Sequence, residues 1–175
     1  MLQKIVKSVL LLAFVFVVRA EAQSGQSSPI TIDPAITIIQ PITIEKVDGK
    51  DLHFGKFSAY QSDEGTITIS PAGVRTYSGD INLLEGSTVG AAKFIVSGLE
   101  GSTFDLDLPL STTLTNVTFP TDVMEVAEYT TDLLAPFTIG TGGTTTFNVG
   151  ATLIKGQNDR RGIYSGSFSL TVNYL

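Results

Sequence analysis

The chain has 175 residues, with 11 Lys and Arg against 17 Asp and Glu, a single histidine and no cysteine. This inventory excludes a disulfide-stapled fold, a cysteine-linked lipid anchor and a cysteine-based zinc site. It also makes nucleic acid a poor partner, because phosphate binding needs clustered Lys and Arg.

The first element is a processing signal. Lys4 and Lys7 precede the apolar run Ser8 to Val18, and Ala20-Glu21-Ala22 supplies small residues where a signal peptidase reads. Cleavage is expected after Ala22, so that residues 1–22 form the signal. The run is well short of the roughly 20 apolar residues that span a bilayer, so stable membrane insertion is not expected. Removing Lys4, Lys7, Arg19 and Glu21 with the signal leaves 8 basic and 16 acidic residues, a formal charge of −8 on Gln23 to Leu175. Those 153 residues suit one exported domain, with periplasm, cell surface or medium as its location.

An apolar arm comes next. Ile30, Ile32, Ile36, Ile38, Ile42 and Ile44 recur at even positions, interrupted by Pro34 and by Gln40-Pro41. Proline lacks the donor that a ladder needs, so the pattern divides into a leading arm of about Ser28 to Ile36 and the first strand of a domain over 37–175. Residues 23–36 are thus an N-terminal extension.

Period-two alternation then predicts strands at Ile36 to Val47, Asp51 to Phe57, Gly65 to Ser70, Gly79 to Leu84, Ala91 to Ser97, Thr103 to Leu108, Thr112 to Thr115, Val123 to Tyr129, Thr144 to Leu153 and Tyr164 to Tyr174. Phe104, Leu106 and Leu108 share one face, against Asp105 and Asp107 on the other. Phe147, Val149, Ala151 and Leu153 do the same further on. "SPAG" at Ser70, "SGLEGS" at Ser97, "GTGG" at Gly140 and "KGQNDRRG" at Lys155 mark turns, and only "VMEVAEY" tempts a helical reading. About ten short strands indicate an all-β, two-sheet sandwich.

The final segment, "GIYSGSFSLTVNYL", alternates to the last residue, with Gly162, Tyr164, Gly166, Phe168, Leu170, Val172 and Tyr174 on one side. An apolar arm at one end and an apolar strand at the other are each an aggregation hazard if exposed. Pairing the arm of one molecule with the last strand of the next satisfies both and, because the contact does not close, builds a fibre.

Catalytic chemistry finds little support. His53 alternates with Leu52 and Phe54 and has no second histidine or cysteine to complete a triad or a zinc site. Asp105 and Asp107 are explained by strand alternation, and "GTGG" lacks the lysine and following helix of a phosphate loop. Asn116-Val117-Thr118 matches a glycosylation sequon, a short and common pattern, and Arg160-Arg161 reads as a solvated loop tip. No enzyme, metal or cofactor is expected.

The layout "ITIIQPITIEKVDGKDLHFGKF", "GTITISPAG", "FNVGATL" and "GIYSGSFSLTVNY" resembles the bacterial DUF4402 domain from about Ile36 to the end. The Asp51-Leu52-His53-Phe54-Gly55 and Val149-Gly150-Ala151-Thr152-Leu153 stretches carry that likeness. It is similar in turn to spore coat protein U-like and chaperone-usher pilin subunits, through Gly162, fourteenth from the end, and the penultimate Tyr174. That resemblance implies an incomplete immunoglobulin-like sandwich, delivered by a periplasmic chaperone to an usher and completed by a neighbour's arm. Carried over, Ile30, Ile32, Ile36 and Ile38 are the donor residues. Gly162, Tyr164, Phe168, Leu170, Val172 and Tyr174 form the assembly motif, the last four facing the groove. The missing disulfide departs from many spore-coat-U-like subunits. The expected function is an exported fimbrial or surface-fibre subunit built of copies of itself, with adhesion as a further role; the alternative is a monomeric secreted sandwich that binds a glycan or protein.

Overall fold

Short alternating segments cannot bury an apolar face alone, so each needs a second layer. The computed structural model describes residues 36–175; the predicted signal and most of the arm, including Ile30 and Ile32, lie outside the described residues. Residues 38–175 form one compact unit, all-β and without helix among the described residues. Its strands are β1 (Thr43–Lys46), β2 (Lys56–Ser58), β3 (Gly65–Ile69), β4 (Arg75–Gly79), β5 (Asn82–Leu84), β6 (Ala92–Ser97), β7 (Phe104–Asp107), β8 (Ser111–Asn116), β9 (Val123–Thr131), β10 (Thr144–Lys155), β11 (Tyr164–Ser165) and β12 (Thr171–Tyr174).

The large sheet runs β1-β6-β10-β9-β8-β11, with β3 and β4 joined through β10. β10 is the axis. Its 12 residues, about 40 Å of extended chain, pair with β6 through Thr144 to Val149 and then with β3 through Ala151 to Lys155. Gly150 stands at this change of partner, where a Cβ would collide with the Ile69 carbonyl oxygen and with the backbone leading into Pro71. On the opposite edge the β9 ladder carries a bulge between Gly150 and Thr152, and Glu128 takes a positive φ of 53° there.

Two small antiparallel sheets, β7-β12 and β2-β5, supply the second layer. Each belongs to its own core. Val96, Phe147 and Val149 pack with Phe104 and Leu106 of β7. Ile67, Ile69, Ala151 and Leu153 pack with Phe54, Ile81, Met124 and Val126, with Phe57 of β2 and Leu83 of β5 at the margin. Tyr129, within the bulge, touches both clusters. The buried face of β10 is the odd-numbered face that the alternation predicts, and Phe104 and Leu106 point inward while Asp105 and Asp107 are exposed.

The strand expected at Val123 to Tyr129 is present as β9, so "VMEVAEY" holds no helical turn. Elsewhere the boundaries differ from the sequence expectation: only Thr43–Lys46 of Ile36 to Val47 is strand, β2 is Lys56–Ser58 where Asp51 to Phe57 is expected, and Gly79 to Leu84 divides between the end of β4 and β5. The stretch Arg75 to Gly79, which shows no apolar alternation, is β4, an exposed strand that pairs only with β3. The last segment is two strands: Tyr164 and Ser165 pair with β8, the chain crosses between sheets over Gly166 to Leu170, and Thr171 to Tyr174 pair with β7.

A seam between two free strand edges

Two strand edges meet without pairing. β1 is the terminal strand of the large sheet and β12 the terminal strand of the small one, and neither has a ladder partner on its outer side among the described residues. The two strands approach one another. They are joined at one end by Tyr174. Its hydroxyl accepts the Leu99 N–H at 2.7 Å and donates to the Gln40 carbonyl at 2.9 Å, thereby tying the last strand to the β6–β7 turn and to the chain entering β1. The ring needs the space above Gly98, where a Cβ would strike the phenol oxygen. Leu175 N–H adds a bond to the Thr103 carbonyl at 3.2 Å.

Apolar side chains line the seam and stay only half-buried: Ile42 just before β1, Ile44 within it, Phe94 from β6, and Phe168, Leu170 and Val172 from the last segment. Phe94 stacks on Phe147 at 5.7 Å and meets the edge of Phe168 at 6.1 Å; Phe168 in turn lies 5.0 Å from Tyr129. Burial pushes the Tyr129 hydroxyl up from the ordinary tyrosine range, against the opposing effect of its hydrogen bond with Thr112.

Of the residues assigned to the terminal motif, Phe168, Leu170, Val172 and Tyr174 come together on this seam. Gly162 and Tyr164 do not join them. Tyr164 packs against the other core and donates to the Arg160 carbonyl at 2.7 Å. Gly162 abuts the amide of Asn116, and a Cβ would overlap it. Asn116 itself is fully buried, its Oδ1 accepting the N–H groups of Thr118 at 2.9 Å and Phe119 at 3.1 Å. The sequon asparagine is therefore buried in the folded domain, where its Oδ1 closes its own turn. Ile36 and Ile38 expose 87% and 89% of their surfaces, so neither is part of the core.

Sequence reasoning missed Gln40, Gly98 and Leu99, because a carbonyl, a backbone N–H and a gap for a ring have no side-chain signature. His53 is exposed and bridges backbone to Gly90, and Asp105 and Asp107 face Asn173 and Thr171 across the small sheet. No group of three or more His, Cys, Asp or Glu among the described residues is arranged to hold a metal ion.

This arrangement defines an all-β domain of sandwich type with one apolar seam between sheets. The profile described as "Domain of unknown function (DUF4402)" matches residues 42–174, and the chain belongs to that family. No match was found among curated proteins or solved structures. No helix among the described residues is long and apolar enough to cross a membrane.

Proposed function

We propose that this protein is an exported structural subunit of a fimbria or cell-surface fibre, assembled by donor-strand complementation with copies of itself. The observation that carries the reading is the pair of free edges, β1 and β12, flanking half-buried apolar side chains. Setting β1, β6, β10 and β9 against strands A, B, E and D of an immunoglobulin-type sandwich, and β7 and β12 against C and F, leaves no counterpart to strand G among the described residues. A strand added beside β12 takes that place. The arm offers a suitable one, with isoleucines at positions 30, 32, 36 and 38 on one side of an extended chain.

Backbone ladder bonds then give affinity and alternate side chains give register. Burying four isoleucines contributes on the order of 6 to 12 kcal/mol before ordering costs, which suffices for a long-lived joint. The signal pattern at residues 1–22 supports export, and the Gly162 and Tyr174 spacing supports delivery by a periplasmic chaperone and usher. Catalysis has no part in this reading. Ile32→Asp and Ile36→Asp test it: each is expected to block polymer growth while leaving the thermal stability of the folded subunit within about 0.5 kcal/mol. Normal polymers from both variants contradict the donor assignment.

A further inference from the structure

At the end of β6 away from Tyr174, the β1–β2 loop, the β3–β4 turn and the β5–β6 loop enclose a cleft of about 430 Å³. That volume is within the range of small-ligand sites. Unlike most such sites, its lining is chiefly polar, with Lys50, His53, Lys93, Thr88 and Asn148 around backbone from Gly49, Gly73 and Gly90. A Cβ at any of those three glycines would meet only open space, so main-chain groups are accessible to a ligand.

The charge there runs against the rest of the molecule. The exported chain carries −8, yet two of its 8 basic residues and its only histidine line this one cleft. Two acids nearby are already engaged, one of them, Asp51, in the lining itself. Asp51 is bound to Lys46, and Asp132 accepts both the backbone N–H and the side-chain amide of Asn148, each at 2.7 Å. The ammonium groups of Lys50 and Lys93 enter no ion pair among the described residues. A lysine ammonium is a point charge with three rotatable donors, suited to one carboxylate or hydroxyl neighbour at a time.

We propose that this cleft binds a saccharide unit bearing a single carboxylate, a uronic acid being the simplest of the class. The polar lining and open backbone match a hydroxyl-rich ring, and the lysine pair matches one carboxylate. A polyanion is repelled by the net charge of the chain, whereas a singly charged sugar is repelled least. The site shares no residue with the β1–β12 seam, and an assembled subunit and a monomer bind alike.

Isothermal titration calorimetry on the intact chain tests this with galacturonate, galactose and acetate as probes. Galacturonate is expected to bind with a dissociation constant on the order of 1 mM or below. Galactose and acetate are expected to bind at least about 10-fold more weakly, since each lacks half of the recognised chemistry. Lys93→Gln and Lys50→Gln, with unchanged melting temperatures, should each weaken galacturonate about 10-fold. No binding heat up to about 20 mM, equal affinity for acetate, or wild-type affinity in both lysine variants overturns the proposal. Because these readouts do not depend on polymerisation, failure here and failure of the fibre reading are separately visible.

Discussion

The hydroxyl of Tyr174 donates to the carbonyl of Gln40 across 134 residues of sequence, closing one end of the seam between the two sheets. The same oxygen accepts from Leu99. One phenol therefore fixes the terminal strand to both layers, and everything else along the β1 side of that strand is side-chain packing. Tyr174→Phe keeps the ring over Gly98 but strands a carbonyl and an N–H. The expected loss is about 1 to 2 kcal/mol, measurable by urea denaturation, with faster exchange of the Leu175 amide.

Gly150 allows β10 to exchange one neighbour for another. Gly150→Ala places a methyl group against the Ile69 carbonyl, which is backbone and cannot rotate away. A destabilisation of about 3 kcal/mol or more is expected. Gly73→Ala is the control for conformational strain alone: φ is +78° and the space is open, so the cost should stay near 1 kcal/mol. Thermal melts of the two variants check the ordering.

The alternation of apolar residues made the strands and their inward faces legible in β7 and β10, because a strand buried on one side must repeat every two residues. It did not reveal where the last segment changes sheets. Tyr164 faces one core and Phe168 to Tyr174 face the other, so period two continues unbroken through the crossover. β4 was invisible for the opposite reason: Thr76, Tyr77, Ser78 and Gly79 are all exposed, and a strand with no buried face has no pattern to show. At the seam, the aromatic and aliphatic members were legible as apolar positions, whereas the latch depends on backbone groups at Gln40 and Leu99. Gly162 is singled out only by the resemblance to pilin-like terminal motifs, and its partner, the buried Asn116, is not.

The two cores share β10 and Tyr129, so they should unfold together. Phe147→Ala in one and Leu153→Ala in the other are each expected to cost about 3 to 5 kcal/mol. Both should lower the midpoint of one calorimetric transition. Two resolved transitions in either variant would show that the halves are independent.

The raised pKa of Tyr129 gives a pH dependence with a definite sign. The unfolded tyrosine ionises before the folded one, so folding holds a proton that the unfolded chain releases, and stability falls as pH rises above about 10. Below that pH the group contributes no slope. Tyr129→Phe removes the titration and the bond with Thr112 together, so its melting temperature should start lower at neutral pH and decline less as pH rises above about 10.

The central claim is that a strand from a neighbouring copy completes the seam. Its most direct test is size-exclusion chromatography with light scattering on Gln23 to Leu175, refolded from denaturant and followed for a day at high concentration. A growing ladder of SDS-resistant multimers is expected, and it disappears when residues 23–36 are deleted. A fully folded monomer at every concentration would contradict it and would favour a self-sufficient secreted binding domain.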